Sequence, residues 1–227
     1  MINLMKKSIL KGFDWLGYEI RKKQPILAES TPPASEAGSK NAAIGLPLAS
    51  ENLSSNLRKI HYGCGLYLLD EWLNVDLYPK IDNDHISARI DLLSPHPFPD
   101  NWFEFGFAEA FLEHLSQADS LIFLSEVYRT LTPGGVLRLS FPCLEGVLRR
   151  RYQERNYQGA LSVKEKAYMK WGHIHFYSNE ELTTVCRQIG FTEVEFVEYG
   201  KSKHGPLNAL EFREKKTDLY TYVEITK

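Results

Sequence analysis

The stretch from Arg58 to Pro79 reads RKIHYGCGLYLLDEWLNVDLYP. A strand-like entry runs into a Gly-Cys-Gly turn, and a second strand-like segment ends on Asp76. A residue without a Cβ reaches positive φ at little cost and lets the backbone approach a ligand closely. Gly63 and Gly65 after a strand therefore fit a nucleotide-type cofactor. A dinucleotide would want a third glycine, so that a helix N-terminus can close on the pyrophosphate, and an acidic residue about 20 positions on. Here Leu66, Tyr67 and Leu68 follow Gly65, and Asp76 arrives 13 residues after Gly63. A pyrophosphate-containing cofactor is disfavoured, whereas a cofactor with no phosphate has no such need.

Outward from this stretch, strand patterns alternate with helical ones. Arg58–Tyr62 and Trp72–Asp76 read as the first two strands, SARIDLL (Ser87–Leu93) as the third, and the aromatic alternation of WFEFGFAEA (Trp102–Ala110) as the fourth. Ser116 with Asp119 three residues on resembles a capping box. Leu121, Leu124, Val127 or Tyr128, and Leu131 then give a helical period that TPGG ends. VLRLSFP (Val136–Pro142) resumes as a strand. Ser178 and Glu181 form a second capping box, with Leu182, Val185 and Ile189 on one helix face and Gly190 as the stop. TEVEFVEYG and LYTYVEIT are the last two strands, and without a helical pattern between them they make an antiparallel hairpin at a sheet edge. The class is α/β, with a largely parallel sheet and ligands at the strands' C-terminal edge.

At 227 residues the chain is long enough for one full-sized domain and appendages. A formal net charge of −2 argues against nucleic acid as a partner, since phosphate binding leaves a basic footprint. Cys64, Cys143 and Cys186 are far apart, odd in number and in no CxxC or Cys/His metal spacing, which indicates neither a disulfide framework nor a zinc site and fits a reducing cytoplasm. Residues 1–24 form a separate basic element. Lys6, Lys7, Lys11, Arg21, Lys22 and Lys23 outweigh Asp14 and Glu19, while Ile2, Met5, Ile9, Phe13, Leu16 and Ile20 recur at steps of three or four on one helical stripe. Such a helix lies peripherally on an anionic inner membrane face or packs on its own domain or a partner subunit. It is too short in apolar run to span a bilayer and lacks the pattern of a signal peptide. Residues 25–56, rich in Ser, Ala and Pro, read as a flexible linker, so the folded domain spans 57–227.

Six segments now carry a resemblance: IHYGCG, EWLNVDLYP, RIDLLSPHPFPDNWFEFGFAEAFLEHL, VYRTLTPGGVLRLSFP, GHIHFYSNEELTTVCRQIGF and YTYVEITK. In that order they resemble the signature segments of class I S-adenosylmethionine-dependent methyltransferases, most of all a bacterial group often called type 11, in which a short turn replaces most of the first helix. The resemblance implies a Rossmann-like, seven-stranded sheet of order 3-2-1-4-5-7-6, with the last strand antiparallel and helices on both faces. It also implies S-adenosyl-L-methionine as cofactor. Gly63, Cys64 and Gly65 would approach its methionine part, Asp76 would accept from both ribose hydroxyls, and Asp91 would receive the adenine amino group. Leu77 and Leu92 would wall the adenine. Glu109 would line the sulfonium end, although this sequence has Glu109 and Ala110 where a small or polar residue followed by His or Asn is usual. Glu113 and His114 match the family's Glu-His pair.

The implied reaction is methyl transfer to a small-molecule or saccharide acceptor, with surface-glycan synthesis as one setting. Such an in-line displacement asks the protein mainly to align donor and acceptor and to exclude water. A hydroxyl acceptor sheds its proton as the methyl arrives, and a neutral imidazole suits that task near pH 7. The candidates are His114, His173 and His175, the last two sharing one face if their segment is extended. Between Glu145 and Lys170, Arg149, Arg150, Arg151, Arg155, Lys164, Lys166 and Lys170 stand against Glu145, Glu154 and Glu165. That insertion reads as a cationic lid over a phosphorylated or nucleotide-linked substrate, or as a solvated helical face. The competing readings for the whole chain are a methyltransferase-like binding or scaffold protein without activity and, third, a dehydrogenase or epimerase, which the missing third glycine disfavours.

Overall fold

The computed structural model describes residues 57–152, 156–214 and 218–227, and the basic N-terminal element and the linker lie outside them. Seven strands form one sheet: β1 (Lys59–Tyr62), β2 (Leu73–Asp76), β3 (Ile86–Arg89), β4 (Phe103–Glu109), β5 (Leu131–Pro142), β6 (Glu193–Phe196) and β7 (Tyr220–Thr226). Their spatial order is β3-β2-β1-β4-β5-β7-β6, with β1 to β5 mutually parallel and β7 antiparallel to both β5 and β6. The helices are α1 (Gln117–Thr130), α2 (Leu144–Arg151), α3 (Tyr157–Val163), which runs on into a π-helical segment at Lys164–Met169, and α4 (Asn179–Ile189). Among the described residues no helix is long and apolar enough to cross a membrane.

Both helix starts form as the capping signals require. Ser116 Oγ accepts from the Asp119 N–H at 3.1 Å, and Ser178 Oγ from the Glu181 N–H at 3.0 Å, each satisfying a donor that the first turn leaves without a partner. The apolar stripe of α1 is turned from the expected one. Ser120, Phe123, Leu124, Val127 and Thr130 are buried and Leu121 faces solvent. Leu131 has left the helix and opens β5. On α4, Leu182 and Cys186 point inward and Gly190, at φ +125°, ends the helix. Phe123, Leu124 and Val127 join Ile60, Tyr62, Leu137 and Leu139 in the main core, each large side chain contributing about 1.5–3 kcal/mol.

The opposite face of the sheet is covered differently. Strand alternation sends His61, Phe107, Val136, Arg138 and Glu224 there. Among the described residues the segment over it is the β6–β7 connection, whose one helical turn is Gly205–Leu207. Leu207 packs with Trp72, Phe107 and Val136 in a second, smaller core. Arg138, fully buried, donates to Glu211 (2.8 Å) and Glu224 (2.7 Å) and to the carbonyls of Lys201 (2.9 Å) and Glu198 (3.3 Å). Farther along, the Phe212 ring stacks on Tyr67 and His61, with centroids 5.1 and 5.7 Å apart. The connection thus reaches the turn after β1, where a short loop stands in place of a first helix.

Candidate active site

The Gly-Cys-Gly turn and Asp76 form one unit. Gly63 and Gly65 are left-handed, at φ +62° and +51°. A Cβ on Gly63 would come within 2.6 Å of the Phe111 ring, whereas one on Gly65 would project into open space, so the backbone at Gly65 can be approached from outside. Asp76 Oδ2 accepts from the Gly65 N–H at 3.0 Å and Oδ1 from the Tyr78 N–H at 2.9 Å, which pins the turns after β1 and β2 to each other. A carboxylate offers about four acceptor positions, so two remain for a vicinal diol. These residues fit the ribose and methionine ends of S-adenosylmethionine. Cys64 is buried, and that burial pushes its thiol up to about 12, which keeps it neutral and unreactive.

Asp91 is placed otherwise than expected. β3 ends at Arg89, so Asp91 stands in the following turn, exposed, accepting from the Leu93 N–H (3.0 Å) and the Ser94 hydroxyl (3.3 Å). The turn satisfies its own backbone with this side chain, as short polar residues commonly do. Leu77 is 39% exposed beside Asp76, whereas Leu92 is a member of the main core and its side chain is used there.

At the ends of β4 and β7 several polar groups gather. Glu109 accepts from the Phe212 N–H at 2.9 Å and the Arg213 N–H at 3.4 Å, which anchors the end of the β6–β7 connection, and burial raises its carboxyl above the ordinary range. Ala110 then takes φ +51°, rare for a residue with a Cβ, and turns the chain into a short 3₁₀ helix, Leu112–His114. Glu113 is buried, and desolvation raises its carboxyl to about 8. Its carbonyl accepts from the N–H groups of Ile174 (2.8 Å) and His175 (3.3 Å), which fastens the segment after α3 against this turn. His173 Nε2 lies 3.9 Å from Glu113 Oε1, and the rings of His114 and His173 meet edge to face at 5.1 Å. Burial lowers both imidazoles to about 4, so both are neutral at neutral pH. Arg213 faces Glu113, His114 and His173 electrostatically, and Tyr220, at the start of β7, faces Glu109 and Glu113.

The expectation that His173 and His175 share a face fails because the segment is not extended at His173. Its N–H still bonds to the Tyr168 carbonyl (3.1 Å), closing the preceding helical turn, and Gly172 is left-handed. His175 instead lies 3.2 Å from Glu181 Oε1 and packs edge-on against Tyr177 at 4.6 Å. Sequence reasoning gave no role to Arg213 or to Tyr220, the first residue of the YTYVEITK segment. Arg213 sits in no motif and reaches this edge through the return of the β6–β7 connection, while the pairing of β7 with β5 places Tyr220 opposite Pro142.

Residues 68–139 match the family model of a methyltransferase domain. Among solved structures, a SAM-dependent methyltransferase from Archaeoglobus fulgidus is similar at 13% identity over 76% of this chain and 87% of that one, with a TM-score of 0.51. A SAM-dependent methyltransferase from Thermotoga maritima, described as a possible histamine N-methyltransferase, shares 18% identity over 75% and 81% of the two chains, with a TM-score of 0.50. At such identities these likenesses show the fold. No curated protein matches the chain. The family match runs from the loop before β2 into β5, and together with the sheet order and the turn after β1 it supports a class I S-adenosylmethionine-dependent methyltransferase.

Proposed function

We propose that the protein methylates a small-molecule or saccharide acceptor, bound beside the Glu113–His114–His173 cluster, with surface-glycan synthesis in a bacterial cytoplasm as the setting. The observation that carries this reading is the meeting, on one sheet edge, of the Asp76 carboxylate, which accepts only two backbone bonds, and a buried polar cluster after β4. S-adenosylmethionine, when bound, supplies a methyl group on a sulfonium. The chain's part is to hold and orient: Asp76 for the ribose, the Gly63–Gly65 backbone for the methionine end, and Asp91, whose two turn bonds leave acceptor positions free, for the adenine amino group.

The acceptor side is covered by α2, α3 and the segment to Trp171. This cover exposes Tyr152, Tyr157, Met169 and Trp171 between the basic residues Arg149, Arg150, Lys164, Lys166 and Lys170. Aromatic faces and cations together suit a sugar carrying a phosphate, since Arg pairs with phosphate oxygens and exposed rings stack on apolar sugar faces. Arg150 and Arg149 already reach the Asp218 carboxylate (3.1 Å) and carbonyl (3.5 Å), so part of this charge is held by the domain itself.

His114 and His173 stand with Glu113 at the acceptor end, while His175 is turned to Glu181. Once an acceptor is identified, His173→Ala should slow methyl transfer by about 100-fold or more, in the range of a group acting on the reacting proton or its oxygen. His175→Ala should stay within a few-fold. Equal loss in both variants would contradict the assignment. The basic test of the function is a titration of the full chain with S-adenosylhomocysteine and with NAD(P). Saturable binding of the first alone is expected, and preference for the second would overturn the reading.

A further inference from the structure

Glu113 presents a puzzle that the methyl-transfer chemistry does not answer. Its side chain is 1% exposed, and its Oε2 is buried with no hydrogen-bond partner. A buried carboxylate oxygen is ordinarily paired, because leaving it so forfeits hydration without return. The neighbours it does have are metal-ligating ones. One ligand atom each from Glu113, His114 and His173 lies within 4.8 Å of the others. The Gly172 carbonyl faces His114, as a backbone acceptor commonly does to orient a ligating histidine. His173 Nε2 points toward Glu113, 3.9 Å from its Oε1, and its Nδ1 is buried with no hydrogen-bond partner, a second polar atom at the cluster left without a partner.

We propose that Glu113, His114 and His173 form a binding site for a divalent transition-metal ion of the zinc class, at the acceptor end of the cleft. Two imidazole nitrogens and one carboxylate match zinc, cobalt or iron(II) better than magnesium or calcium, which favour all-oxygen shells. Three protein ligands leave a position open. Bonds of about 2.0–2.1 Å need the three side chains to close on one another by about 1 Å, within the reach of χ rotations. Glu109 adds a second carboxylate near the site and offsets Arg213, the cation that faces it. The open position takes water or an oxygen of the acceptor and so orients it. This last point rests on the methyltransferase reading, but the binding of the ion does not.

Sequence spacing hid the site because two ligands are adjacent and the third lies on a distant segment, joined to them by the bonds from Ile174 and His175 to the Glu113 carbonyl. The test is a metal titration of the full chain, stripped with a chelator and dialysed, using Zn²⁺ by calorimetry and Co²⁺ by its visible absorption. One equivalent should bind, and His173→Ala and Glu113→Gln should each weaken binding by at least about 100-fold, the upper part of the range for disturbing a metal shell. Circular dichroism establishes that each variant is folded, and the near-isosteric Glu113→Gln carries the test alone if His173→Ala is not. No saturable binding, or binding that survives both substitutions unchanged, overturns the site. S-adenosylhomocysteine binding measured on the stripped protein separates the two claims. Cofactor binding without metal uptake refutes the metal site alone. Metal uptake without cofactor binding supports it and refutes the methyltransferase reading.

Discussion

The two faces of the sheet are stabilised by different means. On one, α1 and α4 lay apolar stripes on the strands, and Phe123, Leu124, Leu182 and Cys186 are fully buried among aliphatic and aromatic neighbours. On the other, an irregular connection is held by a buried guanidinium with two carboxylates, a histidine and stacked rings. A helix face tolerates small rotations, because apolar contact has no direction, whereas a charge network needs each partner in place. The second face also delivers Glu211, Phe212 and Arg213 to the edge where the site lies. Its stability and the geometry of the site are thus linked.

That contrast can be broken from either side. Phe123→Ala should cost about 3–5 kcal/mol in urea unfolding, as deletion of a large ring from a close-packed core does, and leave S-adenosylhomocysteine affinity little changed. Arg138→Met should cost a similar 3–5 kcal/mol, because two buried carboxylates lose their cation. The faces differ in how the loss is recovered. A triple variant, Arg138→Met with Glu211→Leu and Glu224→Leu, should regain most of it, since an apolar replacement of a buried ion network is often neutral. If the triple variant is no better than the single one, the network contributes more than its own desolvation.

A smaller effect concerns pH. His61 is buried between Phe107 and Phe212, its Nδ1 3.3 Å from Asn74 Oδ1, and burial lowers it to about 4. A base with a folded pKa below its unfolded value of about 6.5 favours the folded state above that value, and this stability fades as pH falls from 6.5 through 4. The fully developed loss is about 3 kcal/mol. His96 titrates in the same direction on the helical face, so the informative quantity is the part of the acid limb that His61→Phe removes. An unchanged limb would place the acid sensitivity elsewhere. Smallest of all, Phe212→Ala should cost about 0.5–1.5 kcal/mol per lost ring pair in thermal melts and lower cofactor affinity measurably, because Glu109 is anchored by the same segment.

The same contrast explains what the sequence disclosed. The helical face was legible because capping boxes at Ser116 and Ser178 and a 3.6-residue period are local signals, though the period was misread by placing Leu121 inward in place of Phe123. The sheet order followed from the family resemblance and agrees with the hairpin pattern at the C-terminus. The Gly63–Gly65 turn and Asp76 were legible together because they are close in sequence. Asp91 was assigned to a strand end that stops short at Arg89, where the turn captured the carboxylate. The cluster at Glu113 was half visible as a Glu-His pair. Its third member, His173, and the facing Arg213 and Tyr220 come from segments that meet only through long-range backbone bonds, and no spacing rule reports those. The insertion reads in the sequence only as a cationic lid or a solvated helical face, and its two short helices, capped by Cys143 and Asn156, have no bounds there because their caps lie outside the Ser/Thr-x-x-Glu pattern.

The central claim is that Asp76 holds the ribose of S-adenosylmethionine. Calorimetric binding of S-adenosylhomocysteine to the full chain, compared among wild type, Asp76→Asn and Asp76→Ala, tests it most directly. Loss of the acceptors should weaken binding at least about tenfold in Asp76→Ala, from bonds worth about 1.5–3 kcal/mol to a charged group, with Asp76→Asn intermediate and Asp91→Ala less affected. Because Asp76 also pins Gly65 and Tyr78, thermal melts must show the variants folded at the temperature of measurement. A folded Asp76→Ala protein that binds S-adenosylhomocysteine as tightly as wild type would contradict the account.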